Sequence, residues 1–439
     1  MKMNLALKSQ SLLAKGFGSK FVRQVSLMVS GTAVAQAITI IAAPLLSRLY
    51  RPEELGVLAM FLSLVTLLSV ISSLRYEQAI VLPLEEEEAA SIFLLSCCIL
   101  VGFTGIGLAV CLTFGGNVAR LLGSPELERW MMFVPLGLLA AGLYQILNYW
   151  STRRQQYKRI SVSQVARSGG ITGTQTAAGW AGYSASGLIV GQVAGQFVAS
   201  LWWAVQVWRE SSVLLKSRFR LRELKQMAWK YAEFPKYSTP QTLLNAVSQN
   251  LPIFLLGFFY GAVTVGLYSI ASRLIQLPVT LVSQSVRQVF YQRTSATGQG
   301  EVDLHAMLKK TTLSLALIAL VPSLSLIIFG SELFRWVLGA DWGEAGQYAS
   351  WIVAWLFFAF VNPPAVVTTT LLGMQRRLLI YESLLLMCRF GALYIGGLYF
   401  SALTCVAIYS LVGVLFNLYL VVTMLKASKQ RVRAYGGPA

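Results

Sequence analysis

The sequence predicts an all-α polytopic membrane protein. About twelve transmembrane helices fall in two pseudo-symmetric six-helix lobes, with both termini cytoplasmic. Three observations predict this. Hydrophobic residues fill 56% of 439 positions and mean hydropathy is +0.62, while charged residues are only 12%, about half the ~25% of an ordinary soluble domain. Apolar runs long enough to cross a bilayer recur from end to end. Basic residues gather in alternate connectors, as the positive-inside rule requires. The short alternating segments of a membrane β-barrel are absent.

The predicted spans are 25–47, 55–77, 89–114, 129–150, 161–182, 185–208, 239–260, 264–290, 310–329, 346–371, 378–400 and 402–425. They define a basic N-terminal segment at 1–24, a first lobe at 25–208, a basic cytoplasmic linker at 209–238, a second lobe at 239–425 and a tail at 426–439. Of the 36 Lys and Arg, only Arg48, Arg51, Arg120, Arg129 and Arg335 fall in outside connectors. Arg167, Arg273 and Arg389 fall inside spans, and the rest are cytoplasmic. The net charge of +18 is therefore a topology signal and not a nucleic-acid signal.

The two lobes repeat each other. LYRPEELGV at 49–57 aligns with FYGAVTVGL at 259–267, placing Gly56 on Gly266. FGGNVARLLG at 114–123 aligns with FGSELFRWVLG at 329–339, YKRIS at 157–161 with QRRLL at 375–379, and ARSGG at 166–170 with CRFGA at 388–392. Six spans per repeat is an even number. Both repeats therefore start on the same side, and substrate sites in such folds lie between the halves.

Taken in order, the N-terminus carries Lys2, Lys8, Lys15 and Lys20 before an apolar run too long for a signal-peptide core. It reads as an uncleaved first span. In that span Thr32, Gln36 and Thr39 follow i, i+4, i+7, and Gln241, Asn245 and Ser248 repeat the pattern in the seventh. Two readings stand: a hydrogen-bonding face on a water-filled cavity, or hydrogen bonds between helices within each half. The second span ends at Arg75 and Glu77, either interface anchors or a gate at the cytoplasmic mouth. Glu85 to Glu88 suit the N-terminal dipole of the third helix. Arg167 in the fifth span is close enough to Arg159 to reach the interface. Gly187, Gly191 and Gly195 form a close-packing line in the sixth. In the linker, Leu221, Leu224, Ala228 and Tyr231 share one face opposite basic residues. That face suits either an anionic leaflet or a plain tether.

The eighth span holds Arg273, nine residues after Thr264 and so about 13 Å into the helix. Its repeat counterpart is Ser63, so the charge is not part of the duplicated scaffold. A guanidinium at mid-membrane costs at least ~2.5–3.5 kcal/mol, and its planar fork fits phosphate oxygens. Either an anionic headgroup answers Arg273, or a partner such as Glu382 or a backbone carbonyl does. Glu382 and Arg389 in the eleventh span lie seven residues apart on similar faces, as a coupling pair or a structural one.

Other chemistry is thin. His305, the single histidine, reads as solvated. Cys97, Cys98, Cys111, Cys388 and Cys405 lie in spans without metal-like spacing and read as apolar fillers. No nucleotide-binding loop is present. The short outside connectors argue against a glycan polymerase or ligase.

The segments APLLSRLYRPEELGVLAMF (43–61), LRYEQAIVLP (74–83), FPKYSTPQTLLNAVSQNLPIFLLG (234–257) and VGLYSIASRLIQLP (265–278) resemble bacterial polysaccharide biosynthesis proteins. These are the Wzx-like flippases of the polysaccharide transporter family, in the MATE-related MOP superfamily. The resemblance implies a V-shaped MATE-like bundle in the bacterial inner membrane, with no cofactor and no enzymatic activity. It implies movement of undecaprenyl-diphosphate-linked oligosaccharide to the periplasmic leaflet by alternating access, for O-antigen, capsule or exopolysaccharide assembly. It implies as partners the lipid-linked substrate, membrane lipids, a polysaccharide polymerase and a chain-length regulator. Arg273 stands where such flippases resemble one another in carrying a basic residue. The expected substrate contacts are Arg273, Arg389, Gln36, Gln241, Asn245 and Thr32, with Arg75, Glu77 and Glu382 as gate or coupling residues. The alternative is a MATE-like cation-coupled antiporter, which would want buried acids in its cavity.

Overall fold

A computed structural model describes Met28 and residues 30–296, 304–372 and 374–434. Among the described residues every regular element is a helix. In chain order these are α1 (Ser30–Leu49), α2 (Pro52–Ile71), α3 (Tyr76–Ala79), α4 (Glu86–Leu121), α5 (Phe133–Arg153), α6 (Tyr157–Trp180), α7 (Ala185–Ser217), α8 (Leu221–Lys230), α9 (Thr239–Ala296), α10 (Leu304–Leu338), α11 (Gly343–Val361), α12 (Pro363–Leu371), α13 (Gln375–Tyr399) and α14 (Ala402–Ala434).

Local chemistry sets the ends. α2 opens on Pro52, whose missing N–H costs nothing at a first helical position. Glu53 and Glu54 follow in its first turn, where the helix dipole favours acids. Glu54 also accepts the Arg51 N–H at 2.8 Å, a reach-back cap. α9 is two helices joined at Gly261, whose φ of 81° and ψ of −174° only glycine adopts without strain. The expected seventh and eighth spans therefore run end to end within it.

Eight helices are long and apolar enough to span a bilayer, or nine if the bent pair α11 and α12 is one span. α9 counts once in that tally. α5 and α6, in the places of the expected fourth and fifth spans, fall short of the same apolarity. α6 carries Ser161, Ser163, Gln164, Arg167, Ser168, Thr172, Thr174, Gln175 and Thr176 within 24 residues.

The chain divides into two compact units. The first takes the described residues up to Leu49, with Phe61–Arg120 and Pro125–Asn250. Its core joins α4, α5 and α7 around fully buried Trp150 and Trp203. Phe93 packs 5.0 Å from Trp150, and Tyr144 packs 5.0 Å from Trp203. The linker belongs to this unit too. α7 continues through Ser217, and α8 buries Leu224 and Met227 in the same core. Leu224 of its apolar face meets protein, while Leu221 stays 86% exposed. Ion pairs fasten it: Arg218 to Glu87, and Lys230 to Glu88 at 2.5 Å. Arg154 pairs with Glu86 at 3.1 Å. The acidic run thus clamps connectors as well as opening α4.

The second unit takes Tyr50–Met60, Leu121–Ser124 and the described residues from Leu251 onward. Within it the two glycines aligned by the repeat meet each other. A Cβ on Gly56 would lie 1.8 Å from the Ala262 oxygen, and one on Gly266 would lie 1.8 Å from the Pro52 oxygen. Only glycine permits this approach of backbones, the close packing that small residues allow between membrane helices. The rest of the unit packs α10 on α11 and α11 and α13 on α14. His305, expected in solvent, is half-buried, and its Nδ1 lies 3.1 Å from the Leu425 oxygen and 3.0 Å from Ser428 Oγ.

Candidate functional site

Arg273 lies in the second half of α9, on an exposed face. Ser269, Arg273, Gln276, Thr280, Gln284 and Arg287 recur there at helical spacing, so one side of this otherwise apolar span is polar along five turns. Gln276 Nε2 donates to Ser272 Oγ at 3.1 Å. Among the described residues no hydrogen bond or ion pair answers the Arg273 guanidinium. The opposite side of the helix lines an apolar cavity of about 450 Å³ with Leu274, Pro278, Pro322, Phe357 and Phe360. Pro278 and Pro322 each lack the N–H that continues a helix, which loosens packing where α9 and α10 flank the cavity.

Arg389 is held differently. Its Cζ sits 4.7 Å from the Trp355 ring of α11 and 4.8 Å from the Tyr409 ring of α14. The two rings stand at 88°, so the guanidinium occupies their corner. Glu382 is exposed on α13 and makes no ion pair among the described residues. Two helical turns separate it from Arg389, so the expected pair does not form.

The polar stripe of the first span faces α6. Thr32 Oγ1 lies 2.8 Å from Gln164 Oε1, and Thr39 Oγ1 lies 3.1 Å from Ser168 Oγ. These are hydrogen bonds between helices of one half, the second of the two readings above. Gln36 Oε1 is buried without a partner. In the first half of α9, Gln241 and Asn245 are exposed, and Asn245 Oδ1 accepts from Gln249 at 3.0 Å.

Arg75 and Glu77 do meet. α2 stops at Ile71, and Leu74 and Arg75 turn the chain through left-handed backbone at φ 50° and 62°. This brings Arg75 Nη1 to 3.4 Å from Glu77 Oε1. Glu77 is only 1% exposed. Ser73 donates to its Oε2 at 2.5 Å and Gln145 to its Oε1 at 3.0 Å. Burial pushes the carboxyl above its ordinary range; Ser73, the Glu77 backbone and Arg75 partly offset it. Gln145 in turn lines a polar cavity of about 450 Å³ with Ser69, Asn148, Tyr149 and Arg167.

The profile of a family described as polysaccharide biosynthesis protein matches residues 45–347. The chain belongs to that family. A search of curated proteins gave no match. Among solved structures, a lipid II flippase MurJ in its inward closed conformation is similar, with TM-score 0.72 and 14% identity over 90% of this chain and 87% of that one. An inward-facing multidrug resistance MATE transporter of the MOP superfamily gives TM-score 0.64 and 13% identity over 94% and 98%. A MOP superfamily transporter from Pyrococcus furiosus gives 0.53 and 14% over 94% and 95%. At these identities the likeness is one of fold. This polysaccharide biosynthesis protein is therefore a multi-pass membrane protein of the MurJ and MATE fold.

Two features of the family member escaped sequence reasoning. Gln276, Thr280 and Gln284 extend the Arg273 face; their 3.6-residue periodicity was the available signal. The cavity at Arg167 gave none, because its walls form only where α5 and α6 meet each other and Ser69 of the distant α2.

Proposed function

We propose that this protein is a flippase for undecaprenyl-diphosphate-linked oligosaccharide, exposing its site to the two sides of the bacterial inner membrane in turn. The observation that carries the reading is Arg273, an exposed cation deep in an apolar span with no protein partner among the described residues. A phosphate headgroup would supply the missing anion in bidentate geometry. Gln276, Thr280 and Gln284 on the same face offer amide and hydroxyl groups to sugars. The inside-negative potential favours outward movement of net negative charge by ~2.3 kcal/mol per charge per 100 mV. O-antigen, capsule and exopolysaccharide units share the lipid diphosphate that this reading invokes, and a polymerase and chain-length regulator would act downstream.

A cation antiporter on the same fold wants a buried acid. Glu77 is the buried carboxylate among the described residues, and Ser73, Gln145 and Arg75 already surround it. The test is made in a strain lacking the gene. Complete lipid-linked units are expected to build up on the cytoplasmic leaflet, relieved by wild type, partly by Arg273→Lys and not by Arg273→Ala at equal protein level. Full relief by the Ala variant would remove Arg273 from the site. Absence of build-up, with normal surface glycan, would remove the flippase reading.

A further inference from the structure

Of the three arginines inside expected spans, two are related by the repeat. ARSGG and CRFGA place Arg167 on Arg389, whereas Arg273 falls on Ser63. The structure holds the related pair alike, each inside its own unit. Arg167 projects from α6, the fifth long helix of its half. Its Cζ lies 4.5 Å from the Tyr144 ring of α5, and its Nη1 is 3.4 Å from Gln196 Oε1 on α7. Arg389 projects from the fifth long helix of its half, onto Trp355 of the fourth and Tyr409 of the sixth. A Cβ at Gly413 would come within 2.9 Å of Arg389 Nη2, so that glycine leaves room for the guanidinium.

Stacking holds a guanidinium by its face and leaves its in-plane N–H groups to be satisfied. Neither arginine has an ion pair among the described residues. The polar atoms left unpartnered beside them are Gln196 Nε2 in the first unit, and Arg389 Nε and Trp355 Nε1 in the second. All three are donors. Gln196 Oε1 is the one acceptor that meets Arg167, and a positive centre beside unmet donors suits an anionic acceptor. In the first unit there is room for it, since Arg167 lines the polar cavity of about 450 Å³ with Asn148, Gln145 and Ser69.

We propose that each unit carries its own oxyanion-binding site, one centred on Arg167 with Gln196 and one on Arg389 with Trp355. Each takes a phosphate or diphosphate group, and neither requires Arg273. The identification of that group with the lipid-linked substrate rests on the flippase reading; the sites themselves do not.

The test uses the full chain carrying Arg273→Ala, in nanodiscs of phosphatidylcholine, with equilibrium binding of inorganic pyrophosphate and of farnesyl diphosphate. Two saturable sites per chain are expected. Arg167→Gln and Arg389→Gln should each remove one, weakening it at least tenfold, and the double variant should retain neither. Arg→Lys at either position keeps the charge without the planar stack and should fall between. Sites that take the prenyl diphosphate belong to the lipid headgroup. Sites that take only pyrophosphate stand as anion sites but separate from flipping. Absence of saturable binding, or two sites unchanged in both Gln variants, overturns the proposal. If a Gln variant fails to fold, the stoichiometry of the parent and the Lys variants still decide it.

Discussion

At the expected cytoplasmic ends of helices, burial acts on Glu77 and backbone conformation on Gln155. Burial of Glu77 favours its protonated form, so the folded protein binds that proton more tightly than the unfolded chain does. The stability gained from protonation is therefore present at low pH. It is lost as pH rises from the ordinary carboxylate range through the raised value of the folded state. Melting temperatures from pH 4 to 8 should show this fall in wild type and a flatter curve in Glu77→Gln, with the variant gaining on wild type as pH rises. Parallel curves would show that Ser73, Gln145 and Arg75 already cancel the cost of burial. Gln155 is simpler. It is exposed at φ 55° in the turn between α5 and α6, where a Cβ is strained and glycine is not. Gln155→Gly should stabilise the first unit by roughly 0.5–1 kcal/mol, read as a higher melting temperature; a lower one would show that the side chain makes up for the strain.

Among elements, α8 distinguishes protein docking from membrane docking most directly. Its amphipathic pattern suits an anionic leaflet equally well, yet Leu224 and Met227 are buried in the core of the first unit. Leu224→Ala should cost about 2–5 kcal/mol, seen as earlier melting. Leu221→Ala, at an 86% exposed position, should leave melting unchanged. If α8 instead lay on lipid, both would alter membrane partition and neither would alter the melt. α6 makes a related point. Its polar side chains are met by α1, α5 and α7 through Gln164, Ser168, Ser163 and Arg167. A helix of low hydropathy can serve as a span when neighbouring helices satisfy its polar groups.

For the whole molecule, the sequence predicts twelve crossings with both ends inside, while length and apolarity single out eight or nine among the described residues. Single cysteines in a cysteine-free background separate the two. On whole cells, a membrane-impermeant thiol reagent should label Ser184→Cys, between α6 and α7, and leave Gln155→Cys untouched until the cells are broken. Labelling of both would show that α6 does not cross, and labelling of Gln155→Cys alone would reverse the orientation of the hairpin.

The sequence by itself determined the class, the family, the duplicated arginine pair and the unduplicated Arg273. Hydropathy, charge asymmetry and repeat spacing are properties of the chain read along its length. Periodicity also showed which residues share a helix face. It did not show what each face meets. Thr32 and Thr39 turned out to meet α6, the apolar face of α8 the core of the first unit, and His305 the end of α14. Glu382 and Arg389 share a face without touching. Gly56 and Gly266, aligned only as a repeat, proved to be in contact. Those outcomes depend on which helices become neighbours. Apolar lipid gives spans no reason to prefer one orientation, so close packing and hydrogen bonds between helices decide it, and both exist only in the tertiary structure.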